Sequence, residues 1–343
     1  MEKHLFKYSE PFELELGGIL PRFQLQYCTA GTINEQRDNV IWVCHALTAS
    51  AEADDWWEGM IGIGKLFDPE KHFIICVNML GSCYGSTGPL DTNPETQRLY
   101  LNDFPSYTVR DIAATLDLLR QHLDIKHIHT LIGGSMGGMH ALEWAIINPT
   151  VATNLILLAT NAQHSPWGIG FNESQRMVIE ADPTWGDHDP NAGKLGLRAA
   201  RSVALLSYRN YQAYWETQSD TDIEKTDHYK AQSYQQYQGD KLVQRFNCHA
   251  YYFLSKAMDS HHVGRGRGGV EEALKLVKAN TLVIGITSDI LFPPSEQKRL
   301  ADLIESAHFE EIDSFYGHDG FLIETKAITE LILEFYNNKS VTI

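Results

Sequence analysis

Apolar positions change their rhythm twice along the chain. Phe12 to Leu16 and Phe23 to Thr29 alternate apolar and polar residues, the period of half-buried strands. Gly17-Gly18 and Thr32 to Asn39 supply the turns. Val40 to Cys44 is a short apolar run that ends in His45-Ala46-Leu47-Thr48. From there the runs become continuous. Phe73 to Asn78, His127 to Ile132, Asn154 to Thr160 and Thr281 to Thr287 read as strands covered on both faces, as in a parallel sheet. Phe309 to Asp313 is a further strand-like run. Between them the period is helical. Thr108 to Leu123 puts Val109, Ile112, Leu116 and Leu119 on one face, and Met136 to Ile147 is a second such segment. The expectation is an α/β fold with a mixed sheet.

The second change falls between Asn161 and Gly269. This stretch holds no convincing buried strand and is rich in Tyr, Trp, Gln, Asp and His. Its best helical candidates are Leu195 to Tyr208 and Gln238 to Met258. A structureless loop of this length inside a compact chain is uncommon. The pattern therefore predicts a core made of 1–160 and 270–343, interrupted by a helical lid over 161–269, with Gly264 to Gly269 as its return.

Composition narrows the partners. With a formal net charge of −16, the chain is a poor match for nucleic acid or an anionic membrane surface. No stretch approaches the roughly 20 apolar residues needed to span a bilayer. Met1 to Glu15 carries scattered charges rather than an apolar run with a small-residue cleavage site. The five cysteines (Cys28, Cys44, Cys76, Cys83 and Cys248) show no paired metal spacing. A reducing, cytoplasmic setting and no bound metal are the expectations.

The chemistry concentrates at Gly133-Gly134-Ser135-Met136-Gly137. A strand-like run precedes it and a helical one follows, the order a nucleophile elbow requires. A phosphate-binding loop would carry Lys or the full dinucleotide pattern, and neither is present. A serine nucleophile needs a base, and the base an orienting acid, in the chain order Ser, Asp or Glu, His. Asp289, just past the strand ending at Thr287, and His318, in the loop after the last strand, complete that order. All three lie beyond the carboxyl ends of strands, on one edge of the sheet. The oxyanion hole is expected from the N–H of Met136 and from that of Leu47, with Ala46 as the alternative. His45 reads as a structural hydrogen-bonding residue beneath the site.

The sequence resembles the homoserine O-acetyltransferases, enzymes of the α/β-hydrolase fold that act in methionine biosynthesis. The stretches that carry the resemblance are His45 to Thr48, Asn78 to Pro89, Gly133 to Trp144 and Asp182-Pro183. They continue with Gly196 to Tyr208, Arg245-Phe246-Asn247, Asp289 to Pro294 and Gly317-His318-Asp319. His140 replaces a Gln common in the family, and Asn247 stands where Asp is usual. The resemblance implies a mostly parallel eight-stranded sheet flanked by helices, with the lid over the site. It implies Ser135, Asp289 and His318 as the triad. Arg201 would bind the carboxylate of an amino-acid acceptor, Tyr208 would line the same pocket, and Asp319 would bind the amino group. It further implies acetyl-CoA as co-substrate with no tightly bound cofactor, L-homoserine as acceptor, and a homodimer formed through the lid. Succinyl-CoA as donor, serine as acceptor, or plain ester or thioester hydrolysis remain the alternatives.

Overall fold

The computed structural model describes residues 1–340. Its centre is an eight-stranded sheet. In chain order the strands are β1 (Glu2–Tyr8), β2 (Phe23–Ala30), β3 (Val40–Cys44), β4 (Phe73–Val77), β5 (Ile128–Gly134), β6 (Ala152–Leu158), β7 (Asn280–Ile286) and β8 (Ala307–Ile312). Across the sheet they run β1-β2-β4-β3-β5-β6-β7-β8. β1 and β2 pair antiparallel, as do β2 and β4, and every later pairing is parallel.

Each central strand feeds two cores. Trp42, Ile75, Leu131, Leu155 and Val283 belong to one apolar cluster. Their chain neighbours Ile41, Ile74, Ile132, Ile156 and Leu282 belong to the other. Successive side chains of a strand point to opposite faces, so a strand buried on both sides must be apolar throughout. One face is covered by α1 (Val109–His122) and α2 (Met136–Ile147), the other by α3 (Thr325–Ser340). α1 starts where predicted because Thr108 and Asp111 form a reciprocal cap. The Thr108 hydroxyl accepts from Asp111 N–H at 3.3 Å, and the Asp111 carboxylate accepts from Thr108 N–H at 2.8 Å.

The amino-terminal end differs from the expectation. Phe12–Glu13 pairs with Ile19–Leu20 in a small ribbon outside the main sheet, and Glu2–Tyr8 supplies the edge strand instead. That strand buries only Phe6. Its charged residues suit an exposed edge and hide the strand period.

Residues 161–269 form a set of helices: Pro166–Glu180, Lys194–Tyr208, Tyr211–Gln218, Lys230–Val243 and Cys248–Asp259. The two ends of this segment run side by side as a neck. His164 N–H donates to the His261 carbonyl at 2.9 Å, and Val263 N–H to that of Ala162 at 3.0 Å. The single helix expected over Gln238 to Met258 is two, because the Asn247 side chain accepts from Ala250 N–H at 2.7 Å and starts a new helix. No helix among the described residues is long and apolar enough to cross a membrane.

Candidate active site

The elbow forms where β5 turns into α2. Ser135 sits between them at φ 55° and ψ −128°, a strained conformation for a residue with a side chain. Two glycines make the turn sterically possible. A Cβ on Gly133 would fall on the carbonyl of Gly137, and one on Gly137 would fall on the carbonyl of Cys44. The second contact also seats the start of α2 against the loop that follows β3.

The triad is assembled from three separate strand ends. Ser135, Asp289 and His318 are 6%, 3% and 4% exposed. The Ser135 hydroxyl lies 2.8 Å from His318 Nε2, and His318 Nδ1 lies 2.6 Å from Asp289 Oδ2. The other carboxylate oxygen of Asp289 accepts from the N–H groups of Leu291 (2.8 Å) and Phe292 (2.9 Å). With both its oxygens held, the acid fixes the imidazole tautomer, with the proton on Nδ1 and a lone pair at Nε2 facing the serine. Phe292 stacks on the ring with centroids 5.0 Å apart, and Phe321 meets it edge-on. Burial opposes a charged imidazole, yet the Asp289 carboxylate, assisted by Asp319, holds the His318 pKa above its ordinary value.

Of the expected oxyanion donors, Met136 directly follows the serine and Leu47 shares its cavity. Met136 opens α2, where first-turn N–H groups have no intrahelical acceptor. Leu47 and Ala46 both line the cavity that contains Ser135. His45 sits below them, fully buried. Its Nδ1 lies 2.8 Å from the Ala46 carbonyl, and its Nε2 accepts from Met79 N–H at 3.3 Å. Burial lowers its pKa to about 4, so the ring is neutral. His140 also lies beneath the loop, with Nε2 3.4 Å from the His45 carbonyl. Burial lowers its pKa to about 3.

The cavity above Ser135 has a volume of about 420 Å³. Arg201, Tyr208 and Asp319 line it together with Ser135 and His318. Arg201 and Tyr208 project from the lid helix Lys194–Tyr208, whose start is fixed by Asp182: its carboxylate accepts from Gly196 N–H at 2.8 Å. The Arg201 guanidinium lies 5.3 Å from the Tyr208 ring centre, and that ring lies 5.8 Å from the His318 ring. A cation and a carboxylate thus border one nucleophile, an arrangement matched to a zwitterionic amino acid.

Three further residues carry weight at this site. Arg209 stands behind Asp319, with Nη1 3.1 Å from its Oδ2. Arg245 and Tyr84 line the cavity, and the Arg245 guanidinium donates to the Tyr84 hydroxyl at 2.8 Å. Arg245 and Tyr84 lie in stretches that carry the resemblance, and Arg209 directly follows one. No spacing rule assigns any of them a role, because each acts on a residue more than 100 positions away. Among the described residues no group of three or more His, Cys, Asp or Glu side chains is placed to hold a metal ion.

Comparison with known proteins bears on the fold and the family. A family model described as the alpha/beta hydrolase fold matches residues 39–325. The chain is 50% identical to the homoserine O-acetyltransferase of Cyclobacterium marinum, covering 98% of this chain and 95% of that protein. It is 46% identical to that of Chlorobaculum parvum, covering 96% and 93%. Among solved structures it is similar to the homoserine O-acetyltransferase from Bacillus anthracis, with a TM-score of 0.90 and 27% identity over 98% of this chain and 97% of that one. A solved esterase shares the fold, with a TM-score of 0.88 at 22% identity over 97% of this chain and 99% of that one. The chain belongs to the homoserine O-acetyltransferase family, on the α/β-hydrolase fold.

Proposed function

We propose that the protein transfers an acetyl group from acetyl-CoA to the side-chain hydroxyl of L-homoserine through an acetyl-Ser135 intermediate. The observation that carries this reading is the unbroken Asp289–His318–Ser135 relay at the floor of a cavity that Arg201 and Asp319 also line.

In the first half-reaction His318 Nε2 takes the Ser135 proton as the serine oxygen attacks the thioester carbonyl. The tetrahedral oxyanion rests on the N–H groups of Met136 and Leu47. Collapse breaks the carbon–sulfur bond, and the departing coenzyme A sulfur receives the proton from His318. Homoserine then enters, its carboxylate on Arg201 with Tyr208 alongside and its ammonium on Asp319. Its hydroxyl gives a proton to Nε2 and attacks the acetyl-enzyme. Collapse expels the Ser135 oxygen, which recovers that proton, and O-acetylhomoserine leaves. Acetyl-CoA is a co-substrate here, and the triad supplies both base and nucleophile without a resident cofactor. The lid favours the transferase outcome by crowding out water and holding the acceptor in line.

Two features support the setting. The chain carries an odd number of cysteines, five, of which Cys28, Cys44, Cys76 and Cys248 are buried, as suits a reducing cytoplasm. The lid also exposes Leu195, Leu206, Tyr211, Trp215 and Tyr237, which supports a homodimer formed through its helices. Sedimentation of Trp215→Glu reads this directly: a monomer is expected, and an unchanged dimer places the contact elsewhere. The reaction itself is tested by crossing acetyl-CoA and succinyl-CoA with homoserine and serine. Fastest turnover with acetyl-CoA and homoserine is expected. Preference for succinyl-CoA or serine, or thioester cleavage indifferent to acceptor, would replace this reading with one of its alternatives.

A further inference from the structure

The loop from His45 to Ala51 carries Leu47, and its two ends are tied to the core. At the base, His45 accepts from Met79 N–H at 3.3 Å. At the far end, Ala51 N–H donates to Asn78 Oδ1 at 2.8 Å. The crown of the loop is held differently. Thr48 directly follows Leu47, and its carbonyl accepts from Arg245 Nη1 at 2.5 Å. The same nitrogen reaches the Tyr84 hydroxyl at 2.8 Å.

Arg245 belongs to the lid, in the break between helices Lys230–Val243 and Cys248–Asp259. Tyr84 and Thr48 belong to the core. Tyr84 is itself placed from both sides. Its carbonyl accepts from Asn78 Nδ2 at 2.7 Å, and its ring meets Phe246 edge-on at 5.7 Å. One guanidinium therefore brackets lid, loop crown and core. Asn78 closes the circuit, since its amide oxygen holds the end of the same loop.

An oxyanion donor acts only if it is in place before the charge forms. A displacement of about 1 Å in such a group can cost about 10²-fold in rate. We infer that Arg245 is a positioning residue of the oxyanion hole, which sets the Leu47 N–H by fixing the carbonyl of Thr48 to the seated lid. The inference rests on the reading of Leu47 as an oxyanion donor. Arg245 touches no reacting atom in it. The planar guanidinium suits the task because it presents several N–H donors in a fixed fork, whereas a lysine ammonium on a flexible stem does not.

The test is Arg245→Ala in the full chain, with three readouts. These are steady-state transfer from acetyl-CoA to homoserine, the acylation burst with p-nitrophenyl acetate, and the affinity of a small alkyl boronic acid that forms a tetrahedral adduct on serine. Acylation is expected to slow about 10- to 100-fold with both donors, with KM for acetyl-CoA changed less than about threefold. Boronate affinity is expected to fall by a similar factor while homoserine binding holds. Arg245→Lys should recover part of the loss. Unchanged acylation and boronate affinity would overturn the inference. So would a rise in KM for acetyl-CoA with p-nitrophenyl acetate unaffected, which would make Arg245 a donor-binding residue. If Arg245→Ala fails to fold, Tyr84→Phe keeps the ring and removes the hydroxyl. It should shift the same readouts in the same direction by a smaller factor, and no shift would count against the inference. Should Ser135→Ala still form an acetyl-enzyme, the proposed function fails. A normal acetyl-enzyme with an indifferent Arg245→Ala sinks only the positioning role.

Discussion

The sheet edge and the lid face each other across one cavity, and they are built on opposite terms. At the edge, Ser135, Asp289 and His318 are buried; Ser135 and Asp289 follow strands buried on both faces, and His318 follows the outer strand β8. Their hydrogen bonds leave the triad little freedom. On the lid, Arg201 and Tyr208 are half-buried on a helix with one wet face, and Arg209 pairs with Asp319 near solvent. The contrast assigns tasks. In the proposed reaction the edge carries the acyl chemistry, and the lid residues Arg201 and Tyr208, with Asp319 of the core, hold the acceptor. Substitutions in the triad should therefore act on kcat and those at Arg201 and Tyr208 on the acceptor's KM, while Arg245, a lid residue tied to the loop of Leu47, should act on acylation.

The largest effect expected is at Ser135. Ser135→Ala should lower turnover by roughly 10⁴-fold or more, measured as transfer to homoserine. Asp289→Asn should follow closely, at about 10⁴-fold in kcat. Its amide oxygen would be claimed by the N–H groups of Leu291 and Phe292. That turns the NH₂ toward His318 Nδ1 and leaves the proton on Nε2, where it blocks the serine. A variant retaining more than about a tenth of wild-type kcat would break the assignment.

Arg201→Ala should leave the acylation burst intact and raise KM for homoserine about 10- to 100-fold, the scale of a charge-assisted two-point grip. A loss confined to the burst would move Arg201 from the acceptor to the acylation chemistry.

Much of this architecture can be read from residue order, and the exceptions share a cause. The central strands declare themselves because burial on both faces forces apolar runs, and Thr108 marks a helix start through its reciprocal cap, whereas the cap at Asn247 lies inside a run that reads as one helix. The edge strand Glu2–Tyr8 does not, because a strand with one buried side chain carries no period. Ser135, Asp289 and His318 follow from motif and strand context. Arg209, Arg245 and Tyr84 do not, since their partners are fixed only when the lid seats on the core.

Smaller effects come from pH. Because Asp289 and Asp319 raise the His318 pKa, the acidic limb of kcat/KM should lie above the ordinary histidine value of about 6.5. Asp319→Asn removes one of those charges and should move the limb to lower pH. The His318–Asp289 pair stabilises the fold below the ordinary histidine value and loses that contribution as pH rises through the raised one. The neutral buried histidines act in the opposite sense. Burial lowers His45 and His261 to about 4 and His140 and His164 to about 3. The unfolded chain binds protons there first, so stability should fall as pH drops below about 6.5. His140→Gln should shallow that loss in a Tm–pH series. An equally steep series would mean that His140 is not a buried neutral group.

The account turns on the acyl-enzyme. Mixing the protein with acetyl-CoA alone and weighing the intact chain and its peptides should show one acetyl group on the peptide containing Ser135, which homoserine then removes. No adduct without homoserine, or an adduct that persists in Ser135→Ala, would contradict it.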